Sequence, residues 1–314
     1  MAALTLLLPE AAAFGAQRLR GPAAEALGRA DAPAPGEPGR QAQLLRQFEI
    51  SPPGWPVAAL ARQADAGDAA GHAWLRADPA WVRPDINGAR LLACGQDLQL
   101  RAADTAELLP ALEPLFADAG LMIDAPHPAR WYLRLPLGVD FPTFPPPAEA
   151  IGSDLAEQLD DDQPAARRWR ALVTEAQVVL HNHPWNARRV SSGLRPVNSL
   201  WLWGGGILPD EVHSRHASVA GVEEELQALA AASGARLHPP LQSFPGDDIP
   251  SLVDLRALRD LRALAGDWLE PALAVLARGR LDSLALDLAD GTIFRFSRHQ
   301  RWRFWRRAQD SLAR

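Results

Sequence analysis

Runs of apolar residues along the chain predict strands and helices that alternate over much of its length. TLLLP at 5–9 is typical of a short buried strand, and the segment after it, to about residue 30, of a helix. Beyond residue 199 the pattern predicts, in order, the strand SLWLW, a helix from about Val222, the strand ARLH, two helices between 253 and 278, and the strand LDSLALDL. Strands and helices that alternate over short connections are typical of a parallel sheet covered by helices. We therefore expect an α/β fold.

The middle of the chain departs from that alternation. WLRADPAWVRPD and RLLAC predict the two strands of a hairpin joined at Asn87-Gly88, because these residues tolerate the positive φ of a tight turn. LMID and RWYLRL predict further strands. In AARRWRALVTEAQVVL the apolar side chains recur at helical spacing. This part of the chain is expected to form an α+β lobe of its own.

A helix is expected to begin at Asp104, which has the spacing of a capping box with Glu107, and to end near residue 120. Pro110 and Pro114 fall inside it. Because proline lacks the backbone donor and crowds the preceding turn, the helix should kink or break there.

The two patterns together predict the domain organisation. Residues 1–72 and 197–314 should form the α/β core, and residues 73–196 should form an inserted lobe. TLLLP and LDSLALDL are then expected to share one sheet with SLWLW. A Pro/Gly linker, DAPAPGEPGR at 31–40, separates the first predicted helix from a second helical stretch, QAQLLRQF.

Composition narrows the class of protein. A hydrophobic fraction of 47% and a charged fraction of 22% are those of a globular protein, and 28 prolines imply many irregular connections. All 32 basic residues are arginine, so chemistry that needs lysine, such as a Schiff base or a phosphate-loop lysine, is excluded. The net charge of −6 argues against a protein built to bind nucleic acid.

Cysteine content and the apolar segments bear on the compartment. Cys94 is the single cysteine, which excludes an internal disulfide or a site of several thiolates. The first residues lack a basic stretch before their apolar run, and no run is long enough for a membrane span. We expect a bacterial protein of the cytoplasm.

The stretch HNHPWNARRVSSGLRPVNSLWLWGGG, residues 181–206, concentrates the polar side chains that suit a ligand. Arginine can grip a carboxylate or phosphate in two places, and asparagine both donates and accepts. The sequence thus favours binding of a small phosphorylated acid. Candidate ligand contacts are Asn186, Arg189 and Asn198, with His183, Arg188 and, from LRADP, Arg76.

Other readings of the same stretch are open. Asparagine and glycine are common in turns, where Asn198 could satisfy only its neighbouring backbone. Trp201 and Trp203 are two positions apart, so they point to the same side of a strand and are expected in the core. The triple glycine lacks the lysine and hydroxyl of a phosphate loop, although ligands of parallel sheets tend to sit where such a strand ends.

His183-Pro184, Asn186, Arg189, Gly193, Pro196 and Asn198 have the spacing of a known signature. The stretch resembles H-P-V-N-x-x-R-x-x-x-G-x-x-P-A-N of archaeal-type cofactor-independent phosphoglycerate mutases, members of the alkaline phosphatase superfamily. Bacterial proteins described as RpfE-type regulators contain similar short stretches of sequence, to which this chain's NSLWLWGGG, LRADP, RWYLRL and RWRFWRR show a resemblance. The resemblance spans roughly residues 73–290 and implies an alkaline-phosphatase-like core with the mutases' inserted lobe.

That resemblance also implies catalytic groups that this chain lacks. In the family the first strand ends in a metal-binding Asp, a Ser between two metals accepts the phosphoryl group, and a late strand supplies Asp and His ligands. TLLLPEAAAF has no Asp, Ser51 lies in a Pro-rich turn, and no other Ser occurs before Ser153. LALDLADG offers Asp287 and Asp290 without a nearby His. Two-metal phosphoryl transfer needs such ligands, so we expect a pseudoenzyme without metal or cofactor.

Three alternatives remain open from the sequence. An active mutase or phosphatase could use rearranged ligands, and His181, His183, His213 and His216 with Asp210 or Glu211 could hold a metal ion. Asp287 and Asp290 suit a strand-end turn as well as a remnant site. FRFSRHQRWRFWRR could bind a protein partner or an anionic surface, although an amphipathic closing helix whose aromatic rings dock on the sheet is favoured. The leading interpretation is a regulatory or ligand-binding protein.

Overall fold

A computed structural model describes residues 2–85, 88–141, 145–152 and 164–313. In chain order the strands are β1 Ala3–Leu8, β2 Phe48–Ser51, β3 Ala73–Asp85, β4 Gly88–Cys94, β5 Met122–His127, β6 Arg130–Leu135, β7 Ser199–Ile207, β8 Glu211–Ser214, β9 Ser218–Ala220, β10 Arg236–His238, β11 Leu252–Asp254, β12 Ser283–Leu288 and β13 Ile293–Ser297. The helices are α1 Gly21–Arg29, α2 Arg40–Leu45, α3 Val57–Ala66, α4 Ala102–Asp118, α5 Pro147–Ala150, α6 Pro164–His181, α7 Trp185–Ser191, α8 Glu224–Ala232, α9 Leu261–Ala263 and α10 Glu270–Ala277. None of the helices in these ranges is long and apolar enough to cross a membrane.

The chain divides into two compact units. The first unit contains Met1–Ser51 and Glu211–Arg314, and the second contains Pro52–Asp210. The second unit therefore begins earlier and ends later than the lobe expected at 73–196, because α3 packs with β3 and β7 pairs with β3.

The first unit is built on a six-stranded sheet in the order β10-β9-β11-β1-β12-β13. The first five strands are parallel, and β13 pairs antiparallel with β12. The predicted α/β class is confirmed, as is the pairing of TLLLP with LDSLALDL. Two short strands, β2 and β8, form a separate antiparallel ribbon.

The two faces of this sheet differ in character. Alternate residues Leu4, Leu6 and Leu8 of β1 lie in a core shared with the buried faces of α1 and α10, as expected where strand residues point to opposite faces in turn. The intervening positions carry Thr5 beside Ala285, and Leu7 beside Asp287. The second face thus combines an apolar side chain with small, polar and charged ones.

The second unit is built around β3, which pairs with β4 and β6 along one edge and with β7 along the other. The predicted hairpin, LMID and RWYLRL strands are present, although Asn87 lies outside the described residues. Placing SLWLW in the core sheet was wrong, since β7 runs antiparallel to β3. A strand as long as β3 leaves a whole edge unpaired, and β7 satisfies its backbone groups.

Two helix predictions also need correction. The first predicted helix is instead a short 3₁₀ turn, Ala11–Phe14, followed by α1. The helix α4 begins at Ala102, and Asp104 is its third residue, accepting from the Arg101 backbone rather than capping with Glu107. The helix continues through Pro110 and Pro114, whose side chains lie on its exposed face. There the carbonyls left without a helical donor can be solvated.

Candidate functional site

The carboxyl ends of the first unit's parallel strands carry buried aspartates that are held by arginine. Asp287 of β12 is 2% exposed. The Arg46 guanidinium donates to its two carboxylate oxygens at 2.6 and 3.2 Å, and Gln47 Nε2 donates at 2.6 Å. Both oxygens of this carboxylate therefore accept hydrogen bonds, from one guanidinium and one side-chain amide.

Asp254, at the end of β11, is held in the same manner. Arg256 donates from Nε and Nη2 to the two carboxylate oxygens of Asp254 at 2.8 and 2.7 Å. The Asp254 side chain is 4% exposed and the Arg256 side chain 0%. Asp290 accepts from the backbone of Ala11 and Thr292, as a residue of a strand-end turn does. Each of these three acids is thus occupied by the protein.

A further pair and a titratable acid lie where α8 follows β9. Arg40 and Glu223 form an ion pair at 2.9 Å. Burial raises the pKa of Glu225 to about 7, while the positive charge of Arg256 opposes the rise. Glu225 therefore changes charge near neutral pH, a property that the residue pattern does not predict because it depends on burial after folding.

These residues do not fit the two-metal centre that the family resemblance implies. A divalent ion needs carboxylate and imidazole ligands with open lone pairs, whereas Asp287 and Asp254 accept from guanidinium forks. Within the described ranges, no group of three or more His, Cys, Asp or Glu side chains could hold a metal ion. His213 is instead exposed beside Glu211, and His216 is buried, so the proposed histidine group does not form.

A cavity of about 870 Å³ lies over the amino-terminal half of the sheet's second face, and we call it the sheet-face cavity. Its floor includes Thr5 and Ala285, and it is bordered by Arg215, Arg280 and Arg295. The acid on its border, Asp248, already pairs with Arg236 at 2.5 Å. Arginine therefore outnumbers acid among the lining residues, and this balance of charge suits an anion.

A hydrogen-bond network joins this cavity to Asp287. Because Gln47 Nε2 donates to Asp287, its Oε1 is the acceptor for Arg215 at 3.1 Å and for His216 at 2.9 Å. His216 must then carry its proton on Nε2. Burial and the charge of Arg215 lower the pKa of His216 to about 4. The network thus contains a neutral imidazole at neutral pH.

His216→Gln should flatten the acid side of the stability profile. The folded-state pKa lies below the ordinary value of 6.5, so only the unfolded chain gains this proton as the pH falls between those values. Between about pH 7 and about pH 5, the free energy of unfolding of the parent should fall by about 2 kcal/mol more than that of the variant, as measured by urea unfolding. His213→Gln, at an exposed histidine, is the control and should keep the parent's slope. Equal slopes for the parent and His216→Gln would contradict the buried neutral histidine.

In the second unit, Arg189 is buried against an acid. Its guanidinium lies 2.6 Å from Asp104 Oδ1, with the side chains 2% and 8% exposed. It also donates to the carbonyls of Leu98 and Arg195. Burial alone would raise the pKa of Asp104, but hydrogen bonds from Trp185 and Arg189 outweigh it and hold that pKa below its usual range. All of these contacts serve the fold.

The two asparagines of the motif clasp backbone segments. Asn186 donates to the carbonyls of Leu180 and Val197 and accepts from the Val197 amide. Asn198 exchanges a pair of hydrogen bonds with the Val82 backbone. Both asparagines thus satisfy neighbouring backbone groups, which is the structural alternative to ligand binding. Binding of a ligand by these side chains stays a prediction.

The remaining predicted contacts differ in exposure. Arg76 is 1% exposed, pairs with Asp78 at 2.8 Å and stacks over Trp203 and Tyr132. His183 accepts from the Trp185 amide, and Arg188 is exposed and stacks over Trp185. Of these three, Arg188 has its charge in solvent.

The tryptophans and glycines of β7 serve packing. Trp201 and Trp203 are buried, as predicted, and donate to Pro145 O and Asp78. A Cβ on Gly205 would lie 2.2 Å from the Phe141 ring, and one on Gly206 2.6 Å from Pro56. Glycine is needed here for close approach. The expectation of a ligand beyond a parallel strand end does not hold, because β7 belongs to an antiparallel pairing.

The arginine- and tryptophan-rich ending does not form the predicted docking helix. It contains a single 3₁₀ turn, Arg298–Trp302. Trp302, Phe304 and Trp305 are 62%, 78% and 69% exposed. Its fixed contacts are arginine bonds such as Arg303 to Asp31 and Arg306 to the Ala30 carbonyl. The docking interpretation was wrong, because these bonds leave the rings outside the core.

Comparison with known proteins finds relatives for part of the chain. A probable 2,3-bisphosphoglycerate-independent phosphoglycerate mutase of Geobacter sulfurreducens is 40% identical over 67 residues, which cover 21% of this chain and 16% of that protein. The corresponding mutase of Methanothrix thermoacetophila is 32% identical over 99 residues, 29% of this chain and 24% of that protein. The relatives are cofactor-independent phosphoglycerate mutases. The matches span less than a quarter of either relative.

The other comparisons add little. No family model matches the chain. The solved cofactor-independent phosphoglycerate mutase from Thermoplasma acidophilum superposes with a TM-score of 0.43 at 17% identity, over 94% of this chain and 90% of that one. A protein from Pyrococcus horikoshii gives a TM-score of 0.42 at 12% identity, over 94% and 87%. Superposition this loose does not match individual side chains.

Proposed function

We propose that this chain is a non-catalytic, regulatory or ligand-binding relative of cofactor-independent phosphoglycerate mutases, and that it binds a small phosphorylated acid. The sequence similarity to these mutases supports the relationship. The observation that carries the loss of catalysis is the pairing of Asp287 with Arg46. LDSLALDLADG resembles the strand that leads to metal ligands in the family, and here its acid is bound by a guanidinium.

The physical reason is charge compensation. A buried carboxylate is stable only when an opposite charge or several donors compensate it. In a two-metal enzyme the ions supply that charge, and here Arg46 and Arg256 supply it to Asp287 and Asp254. A fixed guanidinium can hold an anion, but it cannot generate a metal-bound nucleophile.

Phosphorylated acids suit the remaining chemistry. The sheet-face cavity is bordered by three arginines, and forks of this kind bind phosphate and carboxylate. Regulation would follow if binding stabilised one conformation of the chain, since a ligand shifts an equilibrium by its differential affinity. The partner or anionic surface predicted for the exposed ending stays a prediction.

Turnover separates this proposal from its alternative, an active mutase or phosphatase. The purified chain should not convert 3-phosphoglycerate to 2-phosphoglycerate above the blank, nor hydrolyse p-nitrophenyl phosphate, with manganese or zinc added. Turnover that depends on the added metal and is lost on chelation would establish the alternative and overturn the proposal. An active mutase from the same assay serves as the positive control.

A further inference from the structure

The arginines at the sheet-face cavity differ in what already holds them. Arg280 pairs with Asp247 at 2.8 Å. Arg215 makes one hydrogen bond, to Gln47. The Arg295 guanidinium has no hydrogen-bond or ion-pair partner in the ranges that the structure describes, although it borders the cavity. Two cations are therefore largely available to a ligand, one of them entirely.

Register places Arg295 over the floor of the cavity. Arg295 of β13 is the antiparallel partner of Ala285, and Ala285 is the parallel partner of Thr5. Cross-strand partners point to the same face. The side chains beside Arg295 are small, so the floor below its guanidinium is left free.

The other half of the same face is filled. Gln43 donates to the carbonyls of Leu8 and Asp287, and Arg46 and Gln47 cover Asp287 itself. These contacts close the carboxyl-terminal side of the sheet, where ligands of α/β proteins commonly bind. On this face of the sheet, the space for a ligand lies instead toward the amino-terminal ends of the strands.

The two available arginines border the cavity from opposite sides. Arg215 lies just ahead of β9, and Arg295 lies on β13. Four strand spacings separate these strands, so their backbones are roughly 19 Å apart. Both long side chains line one cavity of about 870 Å³, a volume within the usual range for organic ligands. A ligand that engages both needs an anionic group at each end.

We propose that the sheet-face cavity binds an elongated organic anion with a phosphate at one end and a second phosphate or a carboxylate at the other. Arg295 receives one anionic group, Arg215 receives the other, and the floor around Thr5 and Ala285 holds the carbon chain. The proposal rests on the proposed ligand-binding function and adds the site and the charge pattern of the ligand.

Calorimetry with defined probes tests this site. Fructose 1,6-bisphosphate should bind the full chain at least tenfold more tightly than inorganic phosphate, because it can reach both arginines. Arg295→Ala and Arg215→Ala should each weaken binding of the bisphosphate roughly tenfold, as expected for loss of a charged hydrogen bond. Ala285→Leu, which fills the floor without changing charge, should also weaken it at least tenfold.

Matched controls make the result decisive. Arg262 is exposed on α9 and is not part of the cavity, so Arg262→Ala removes the same charge and should leave affinity unchanged. Arg188→Ala does the same at the site predicted in the second unit. Unfolding curves for each variant check that it is folded.

The contrary outcomes are distinct. Saturable binding that is weakened by Arg188→Ala, and not by Arg295→Ala, would overturn the cavity while leaving the proposed ligand-binding function intact. Equal losses in Arg295→Ala and Arg262→Ala would show general charge attraction and overturn the site. If neither fructose 1,6-bisphosphate nor 3-phosphoglycerate binds saturably, both the site and the ligand-binding part of the proposed function fail.

Discussion

Asp78→Ala should destabilise the second unit by about 3 to 5 kcal/mol, because it removes one partner of a buried ion pair and with it the carboxylate that compensates the buried charge of Arg76. The pair is 2% and 3% exposed, with both guanidinium–carboxylate distances at 2.8 Å. Asp78 also accepts from Trp203 Nε1 at 2.7 Å, so the indole donor would lose its partner as well. Urea unfolding followed by tryptophan fluorescence measures the loss.

The double variant Arg76→Met with Asp78→Leu is the matched control. Replacing a buried ion pair by apolar side chains of similar volume removes the desolvation cost together with the attraction. The double variant should therefore be closer to the parent than Asp78→Ala is. A loss below about 1 kcal/mol in Asp78→Ala, the range of exposed pairs, would contradict the buried pair.

Arg256→Met should destabilise the first unit by a similar amount, about 3 to 5 kcal/mol. The guanidinium is 0% exposed and holds the two oxygens of Asp254. Its loss would leave a carboxylate buried at the end of β11 without its opposite charge. The double variant Arg256→Met with Asp254→Leu should recover part of the loss.

A spectroscopic readout distinguishes lost charge from lost packing in Arg256→Met. The positive charge of Arg256 lowers the pKa of Glu225, which burial raises to about 7. Without that charge the pKa of Glu225 should rise above about 7, as followed by carboxyl-carbon NMR. A pKa that is unchanged or lower in a folded variant would show that Arg256 does not compensate charge at this edge of the sheet.

Of the six strands in the first unit's sheet, β1, β10 and β12 were predicted, whereas β9, β11 and β13 were not. The strands β1 and β12 could be predicted because each is an apolar run, as strands buried on both faces are. SLWLW has the same pattern, but periodicity identifies an element without identifying its partner. The strand β7 pairs with the edge of β3 that is otherwise unpaired, and this edge exists only once the sheet has assembled. The sequence pattern therefore predicts that an inserted unit exists, but it does not predict the residues at which that unit begins and ends.

The candidate site was harder to predict for a similar reason. Arginine and asparagine at motif spacing indicate groups that bind something, but a backbone carbonyl satisfies them as well as a ligand does. Arg189 meets Asp104 and Asn186 meets Val197 only after folding. Arg295 was noticed only as part of the basic ending, because its place over the cavity depends on the small residues of the neighbouring strand.

One usable signal was overlooked. Opposite charges two positions apart within an apolar run point to the same face of a strand, and R-A-D at 76–78 is such a pattern. D-L-R at 254–256 has the same spacing at a strand end. Both sites are buried ion pairs in the structure. Such a pattern predicts a structural pair before it predicts a ligand contact.

Elemental analysis of the purified chain tests the central claim most directly, because that claim is that arginine supplies the charge that metal ions supply in the mutases. After dialysis against manganese and zinc and removal of free ions, the chain should retain far less than one ion of either metal. Its unfolding curve should not change on addition of chelator, since no bound ion contributes to folding. About two ions per chain, with stability or turnover lost on chelation, would contradict the claim.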